Sequence, residues 1–157
     1  MKYFSTRNKN LSFSFKDIFL RGLAPDGGLF LPSDVKKYSE SEIKILSKLS
    51  YVDLATEIIL NFCKSDIKKA KLRLLIEKSY KIFYNNEVVK LKKIGNINLL
   101  ELYNGPTLAF KDIAMQIIGN MYEELKLTED RAINIVVATS GDTGAAAISA
   151  LNDRKNI

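Results

Sequence analysis

The sequence predicts an α/β protein in two parts: a small, mostly helical N-terminal domain over residues 1–92, then the start of a parallel-sheet domain over residues 93–157. Three observations carry the prediction. Hydrophobic residues make up 46% of the 157, enough to bury a core. Helical periodicity dominates from Ser41 to Phe83. After residue 93 the order changes to strand, loop, helix, strand, loop, helix, the mark of a parallel sheet with crossover helices.

In the first part, SFKDIFLRGL carries Phe15, Ile18 and Phe19 at helical spacing, with Ser12 or Ser14 as its cap. APDGG breaks it, since Pro25 fixes one backbone angle and Asp26-Gly27-Gly28 permits a tight turn. LFLP reads as a short strand ended by Pro32. SESEIKILSKL, YVDLATEIILNFC and DIKKAKLRLLIEKSYKIF are helical in pattern, with Ser41 and Asp66 as plausible N-caps.

In the second part, INLLEL (97–102) suits a buried strand and YNGPT a loop. LAFKDIAMQIIGNMYEELK places apolar residues at 110, 113, 114, 117, 118, 121, 122 and 125, an amphipathic helix. AINIVVATS (132–140) is rich in β-branched residues and reads as a buried strand. GDTG follows, and AAAISAL begins another helix. The two apolar runs, 97–102 and 133–139, are expected to lie side by side in parallel, with the 108–126 helix crossing between them. Ligands of such sheets bind beyond the strands' carboxyl ends, where both glycine-bearing loops fall.

Composition narrows the chemistry. There is no histidine and a single cysteine. Serine and cysteine nucleophile systems built on imidazole are excluded, as are zinc sites that need it. Cys63 lies in the apolar run IILNFC and reads as a buried thiol. The net charge is +6, but the excess is lysine sharing helical turns with apolar residues, a solvated face rather than a nucleic-acid footprint. No run reaches the roughly 20 apolar residues of a membrane span. Met1 to Asn10 lacks a signal peptide's apolar stretch, so a cytoplasmic location is expected.

Two motifs remain. SGDTG joins a strand to a helix. Gly141 and Gly144 let the backbone turn and approach a ligand, and amides at a helix start favour a carboxylate or phosphate. Ser140 and Thr143 add hydroxyls, and Asp142 can accept a proton or cap the helix. A plain capped turn is the competing explanation. The pattern is neither a Walker loop nor a GxGxxG fingerprint. In GPTLAFKD, Thr107 reads as an N-cap and the helix as starting near Leu108, which puts Lys111 in the first turn. A cation is disfavoured at that end of the dipole, and only an unprotonated amine attacks an aldehyde. A lysine pointing into water is the competing explanation.

YFSTRN (3–8), GLAPDGGLFLP (22–32), ELYNGPTLAFKD (101–112) and NIVVATSGDTG (134–144), in this order, resemble the threonine synthase family along nearly the whole chain. The resemblance implies the tryptophan-synthase-β fold type and pyridoxal 5'-phosphate as cofactor. The implied reaction converts O-phosphohomoserine and water into threonine and phosphate. Lys111 resembles the Schiff-base lysine. Ser140, Gly141, Asp142, Thr143 and Gly144 match the loop facing the substrate carboxylate and the cofactor ring, with Asp142 on the cofactor side. Residues 1–92 resemble the family's N-terminal domain.

Two departures go with it. The family usually has His before GPT, where this chain has Asn104, an amide that hydrogen-bonds but does not titrate. Family members are well over twice as long, and their later glycine-rich loop, which holds the cofactor phosphate, has no counterpart within the 157 residues. The catalytic domain is therefore expected to be incomplete here, and the isolated chain to show no turnover. A related phospho-lyase of the same fold and a non-catalytic chain stay open as alternatives, as do a monomer and a dimer.

Overall fold

The computed structural model describes residues 1–125, 134–154 and 157. The chain divides into two compact units, Met1–Leu74 and Leu75–Ile157. Among the described residues no helix is long and apolar enough to cross a membrane.

The first unit opens with a three-stranded antiparallel sheet. Strand β1 (Tyr3–Ser5) lies between β2 (Ser12–Phe13) and β3 (Phe30–Pro32). Pro32, opposite Tyr3, is tolerated because β3 is an edge. Ser14 starts α1 (Phe15–Arg21) through a reciprocal box with Asp17, whose amide reaches the Ser14 hydroxyl at 3.1 Å. Ser39 does the same for α2 (Glu40–Leu46) with Glu42, and Ser50 caps α3 (Tyr51–Cys63). The expected cap Ser41 is thus inside α2. Asp66 does not cap α4 (Lys69–Tyr80), which starts three residues later.

The core of this unit gathers around Tyr3, Phe15, Cys63, Ile67 and Leu72. Tyr3 ties the sheet to α3, its hydroxyl donating to the Phe62 carbonyl at 2.6 Å. Burial, with Cys63 and Asp66 nearby, pushes the Tyr3 hydroxyl up to about 12. Burial also lifts the Cys63 thiol to about 11, so Cys63 is the inert buried thiol its surroundings in sequence suggest.

The second unit holds a hairpin and two packed helices. Strand β4 (Lys90–Ile94) pairs antiparallel with β5 (Ile97–Glu101) across Gly95-Asn96, with Ile94 opposite Ile97. Helix α5 (Lys111–Leu125) packs on α6 (Asp142–Leu151), whose inner face is Ala146, Ala147 and Ala150. The approach is close: a Cβ on Gly119 would lie 3.0 Å from the Arg154 Nε and nearer still to the Ala150 carbonyl. Buried polar groups on α5 are satisfied. Asn120 donates to Ser79 at 2.7 Å and accepts from Arg154 at 2.9 Å, and Arg154 also reaches Glu123 at 3.0 Å.

Several expectations are corrected here. Among the described residues every strand pair is antiparallel. The run 97–102 is not a buried parallel partner of 133–139: it folds back on β4 through a two-residue turn, and four of its five strand residues are exposed. Residues 134–139 form no strand and are exposed, Val136 by 92%; residues 132 and 133 of that run lie outside the described residues. A β-branched run becomes a strand only where a neighbour offers ladder bonds. The buried face of α5 is only partly the apolar stripe, of which Ile117, Met121 and Leu125 are buried as expected. Phe110, just before α5, and Ala114 are exposed, while Asp112, Gln116 and Asn120 are buried: Gly105 and Thr107 enclose Asp112, Ser149 of α6 meets Gln116, and Ser79 meets Asn120.

Candidate functional site

The turn that delivers Lys111 is built around a carboxylate. Residues 105–110 form consecutive turns, with the Leu108 amide donating to Gly105 at 3.1 Å and the Asp112 amide to Ala109 at 3.0 Å. Leu108 has φ 60°, a conformation that ends any helix through it. Helix α5 therefore begins at Lys111, not near Leu108, and Thr107 is not its N-cap. Thr107 instead gives both its donors to Asp112: amide to Oδ2 and hydroxyl to Oδ1, each at 2.8 Å. Asp112 is fully buried. Gly105 lies against it; a Cβ there would come within 2.7 Å of the Asp112 Cγ and closer to its Cβ and Oδ2. Only glycine fits.

Lys111 is half-buried. Its Nζ rests 4.5 Å from the centre of the exposed Phe110 ring, an apolar and π surface that holds the amine beside the helix start. Asn104 closes the preceding segment through its carbonyl, which accepts from the Tyr84 amide at 2.9 Å.

The second loop is held by a hydroxyl. Gly141 takes φ 139°, and the α6 ladder opens with the Ala145 amide donating to its carbonyl at 2.9 Å. The Thr139 Oγ1 accepts from the amides of Gly141 at 3.2 Å and Gly144 at 3.0 Å. A Cβ on Gly144 would lie 2.8 Å from that oxygen. Thr139 stands just before SGDTG, and the motif alone does not single it out. The signal was a hydroxyl residue two positions before a glycine that must turn. Ser140, Gly141 and Asp142 are exposed, and Thr143 and Gly144 are half-buried.

The two loops share one end of the helix pair. Gln116 donates to Ser149 at 3.3 Å, 33 residues on, and Gly119 lies against the carbonyl of Ala150, 31 residues on. Partners that advance together mean that α5 and α6 run parallel. That offset, carried back along both helices, brings Lys111 level with the first turn of α6, Asp142–Gly144. Two helix N-termini, each with positive partial charge, thus point the same way beside one amine. Helix starts of this kind can hold an anion, and an amine beside them can act as a nucleophile toward a carbonyl.

Comparison with known proteins gives this geometry a family. Residues 2–80 match the family described as threonine synthase N terminus. The chain is 39% identical to a threonine synthase of Schizosaccharomyces pombe over 167 aligned residues, covering all of this chain and 32% of that protein. It is 37% identical to the threonine synthase of Pseudomonas aeruginosa over 158, covering all of this chain and 34% of that one. The crystal structure of a PLP-bound threonine synthase from Brucella melitensis superposes with a TM-score of 0.92 at 39% identity, over 99% of this chain and 34% of that chain. The chain therefore spans about a third of the length of the relatives it matches. With the family profile, the full-length alignments and the backbone in agreement, the chain belongs to the threonine synthase family.

Proposed function

We propose that the chain supplies the N-terminal third of a threonine synthase, a pyridoxal-phosphate-dependent lyase converting O-phosphohomoserine and water to threonine and phosphate. The observation that supports this best is the level placement of Lys111 and SGDTG at one end of two parallel helices. Residues 1–92 are read as the family's N-terminal domain and 93–157 as the start of the cofactor domain.

The residues present fit the cofactor: an amine for its aldehyde and a polar loop opposite. Pyridoxal phosphate, when bound, supplies the electron sink for charge left on the substrate's α-carbon. The Lys111 Nζ would hold the aldehyde carbon of the cofactor, and as a free amine it would take the proton from the substrate α-carbon. Asp142 would lie on the side of the cofactor ring. The hydroxyls of Ser140 and Thr143 and the backbone of Gly141 and Gly144 orient the substrate carboxylate at the start of α6. Asn104 hydrogen-bonds but moves no proton.

The test incubates residues 1–157 with pyridoxal phosphate, reduces with borohydride and maps the labelled lysines by mass spectrometry. Lys111 is expected to be labelled ahead of the surface lysines, and phosphate release from O-phosphohomoserine to be absent. Labelling spread evenly over the lysines would overturn the assignment of Lys111. Turnover that disappears in Lys111→Ala would keep that assignment and overturn the expectation that the rest of the catalytic domain is required.

A further inference from the structure

We infer that Asp112 is a positioning residue for Lys111: its buried carboxylate fixes the 105–110 turn and thereby aims the neighbouring amine. The inference rests on the reading of Lys111 given above. It explains why the motif contains Gly105, Thr107 and Asp112 as well as the lysine.

Four observations converge. Asp112 is fully buried although it occupies the second position of a helix whose first residue, Lys111, is half-open. A carboxylate placed there without need would leave the interior for water. Both its oxygens are engaged by one residue, Thr107, at 2.8 Å each, a two-point grip that sets orientation as well as distance. The turn so closed contains Leu108 at φ 60°, a conformation a leucine does not hold unless its surroundings impose it. Finally, the carboxylate lies where a Cβ on residue 105 would stand, so the turn and the carboxylate are fitted to each other.

The consequence falls on Lys111. It has Phe110, the last residue of the turn, on one side and Asp112 on the other, and its Nζ lies over the Phe110 ring. If the grip on Thr107 is lost, Leu108 is free to leave its left-handed conformation, the first turn of α5 shifts, and the direction of the Lys111 side chain shifts with it. The role of Asp112 is geometric, so a neutral group of the same shape should serve. In Asp112→Asn the amide oxygen can accept the Thr107 amide while the Thr107 hydroxyl turns to accept from the new NH2. Asp112→Ala removes both bonds.

The experiment is the rate of Lys111 labelling by pyridoxal phosphate with borohydride in the 157-residue chain, read by peptide mapping against surface lysines of the same molecule as internal standards. Amine and aldehyde join with loss of water, and hydride reduces the resulting double bond to a stable linkage. Amide hydrogen exchange over 105–112 is followed in parallel. Asp112→Ala is expected to lose Lys111 labelling by about tenfold or more and to speed exchange in the turn, with surface lysines unchanged. Asp112→Asn is expected to stay within about threefold of the parent. Thr107→Ala, which deletes one bond and leaves the carboxylate buried, should fall between them and carries the test if Asp112→Ala does not fold.

Even labelling in the parent chain removes the reading of Lys111 and the positioning role with it. A parent that labels at Lys111, with Asp112→Ala, or failing it Thr107→Ala, labelling equally well, keeps the reading and overturns the inference. Loss in Asp112→Asn as large as in Asp112→Ala also overturns it, because charge rather than geometry would then be the cause.

Discussion

Helices α5 and α6 begin at the same end of one packed pair, yet their first turns are secured in opposite ways. Before α5 the anchor is a buried carboxylate within the helix, reaching back to Thr107. Before α6 it is an exposed hydroxyl outside the helix, Thr139, reaching forward to Gly141 and Gly144. The buried anchor has no water to substitute for its bonds, so its partners have no second choice. The exposed anchor is one of several ways to satisfy the same amides. The first arrangement suits a residue that must point in one direction. The second leaves the loop's amides within reach of water.

The largest test of this difference is Gly105→Ala. The added carbon would sit 2.7 Å from the Asp112 Cγ, and the carboxylate cannot retreat without breaking both Thr107 bonds. Overpacking of this kind costs about 3 kcal/mol, read as a lower urea midpoint by circular dichroism with unchanged slope. A loss no larger than that of an ordinary surface substitution would mean that the turn yields, and the contrast between the two helix starts would disappear.

Thr139→Ala comes next. It leaves the Gly141 and Gly144 amides to water, which reaches this exposed loop. Loss of a capping hydroxyl costs about 1 kcal/mol, with a matching fall in exchange protection confined to the start of α6. If Thr139→Ala costs as much as Gly105→Ala, both starts are equally constrained.

The same contrast governs what could be read from the sequence. A serine cap on α1, open between Ser12 and Ser14 in the sequence and settled as Ser14 by the fold, the turn at Asp26-Gly27-Gly28, the short strand ended by Pro32 and the burial of Cys63 follow from local pattern, and the structure agrees. The start of α5 does not, because Thr107 has the side chain of a cap and only the tertiary burial of Asp112 diverts its hydroxyl. Nor does the left-handed Leu108, which no propensity favours. Residues 134–139 have the composition of a strand, but strand formation depends on neighbours that local sequence does not specify. Ile135, Val136 and Val137 instead line an open groove of about 410 Å³ with Ala147, Ile148 and Leu151. The β4–β5 hairpin was legible in principle: Ile94-Gly95-Asn96-Ile97 is a two-residue turn, with Gly95 at φ 58°. The lysines of KLKKI concealed it. Lys111 and SGDTG stood out by residue type, and their shared level came only from the register of α5 on α6.

The smallest effect is expected at the box that starts α2, where Ser39 is exposed and Glu42 half-buried, so that it measures what such an anchor contributes with solvent at hand. The Glu42 carboxyl is held down to about 2 from an ordinary 4.5, first by the Ser39 amide and then by Lys36 and the Ser39 hydroxyl, with Lys36 Nζ at 3.0 Å and the Ser39 amide at 2.8 Å. A carboxyl with a depressed value in the folded state favours folding where it is ionised in both states. Its contribution is therefore complete above about 4.5 and is lost as the pH falls towards about 2. Glu42→Gln should lower the melting midpoint slightly at pH 7 and leave it unchanged near pH 2, so the two melting curves converge on acidification. Salt should shrink the difference at pH 7, since the Lys36 pairing is screened by solvent ions. A difference that persists at pH 2 would assign the box's contribution to packing or to neutral hydrogen bonds. The exposed anchors of this chain would then resemble the buried one at Asp112 more closely than their solvent access implies.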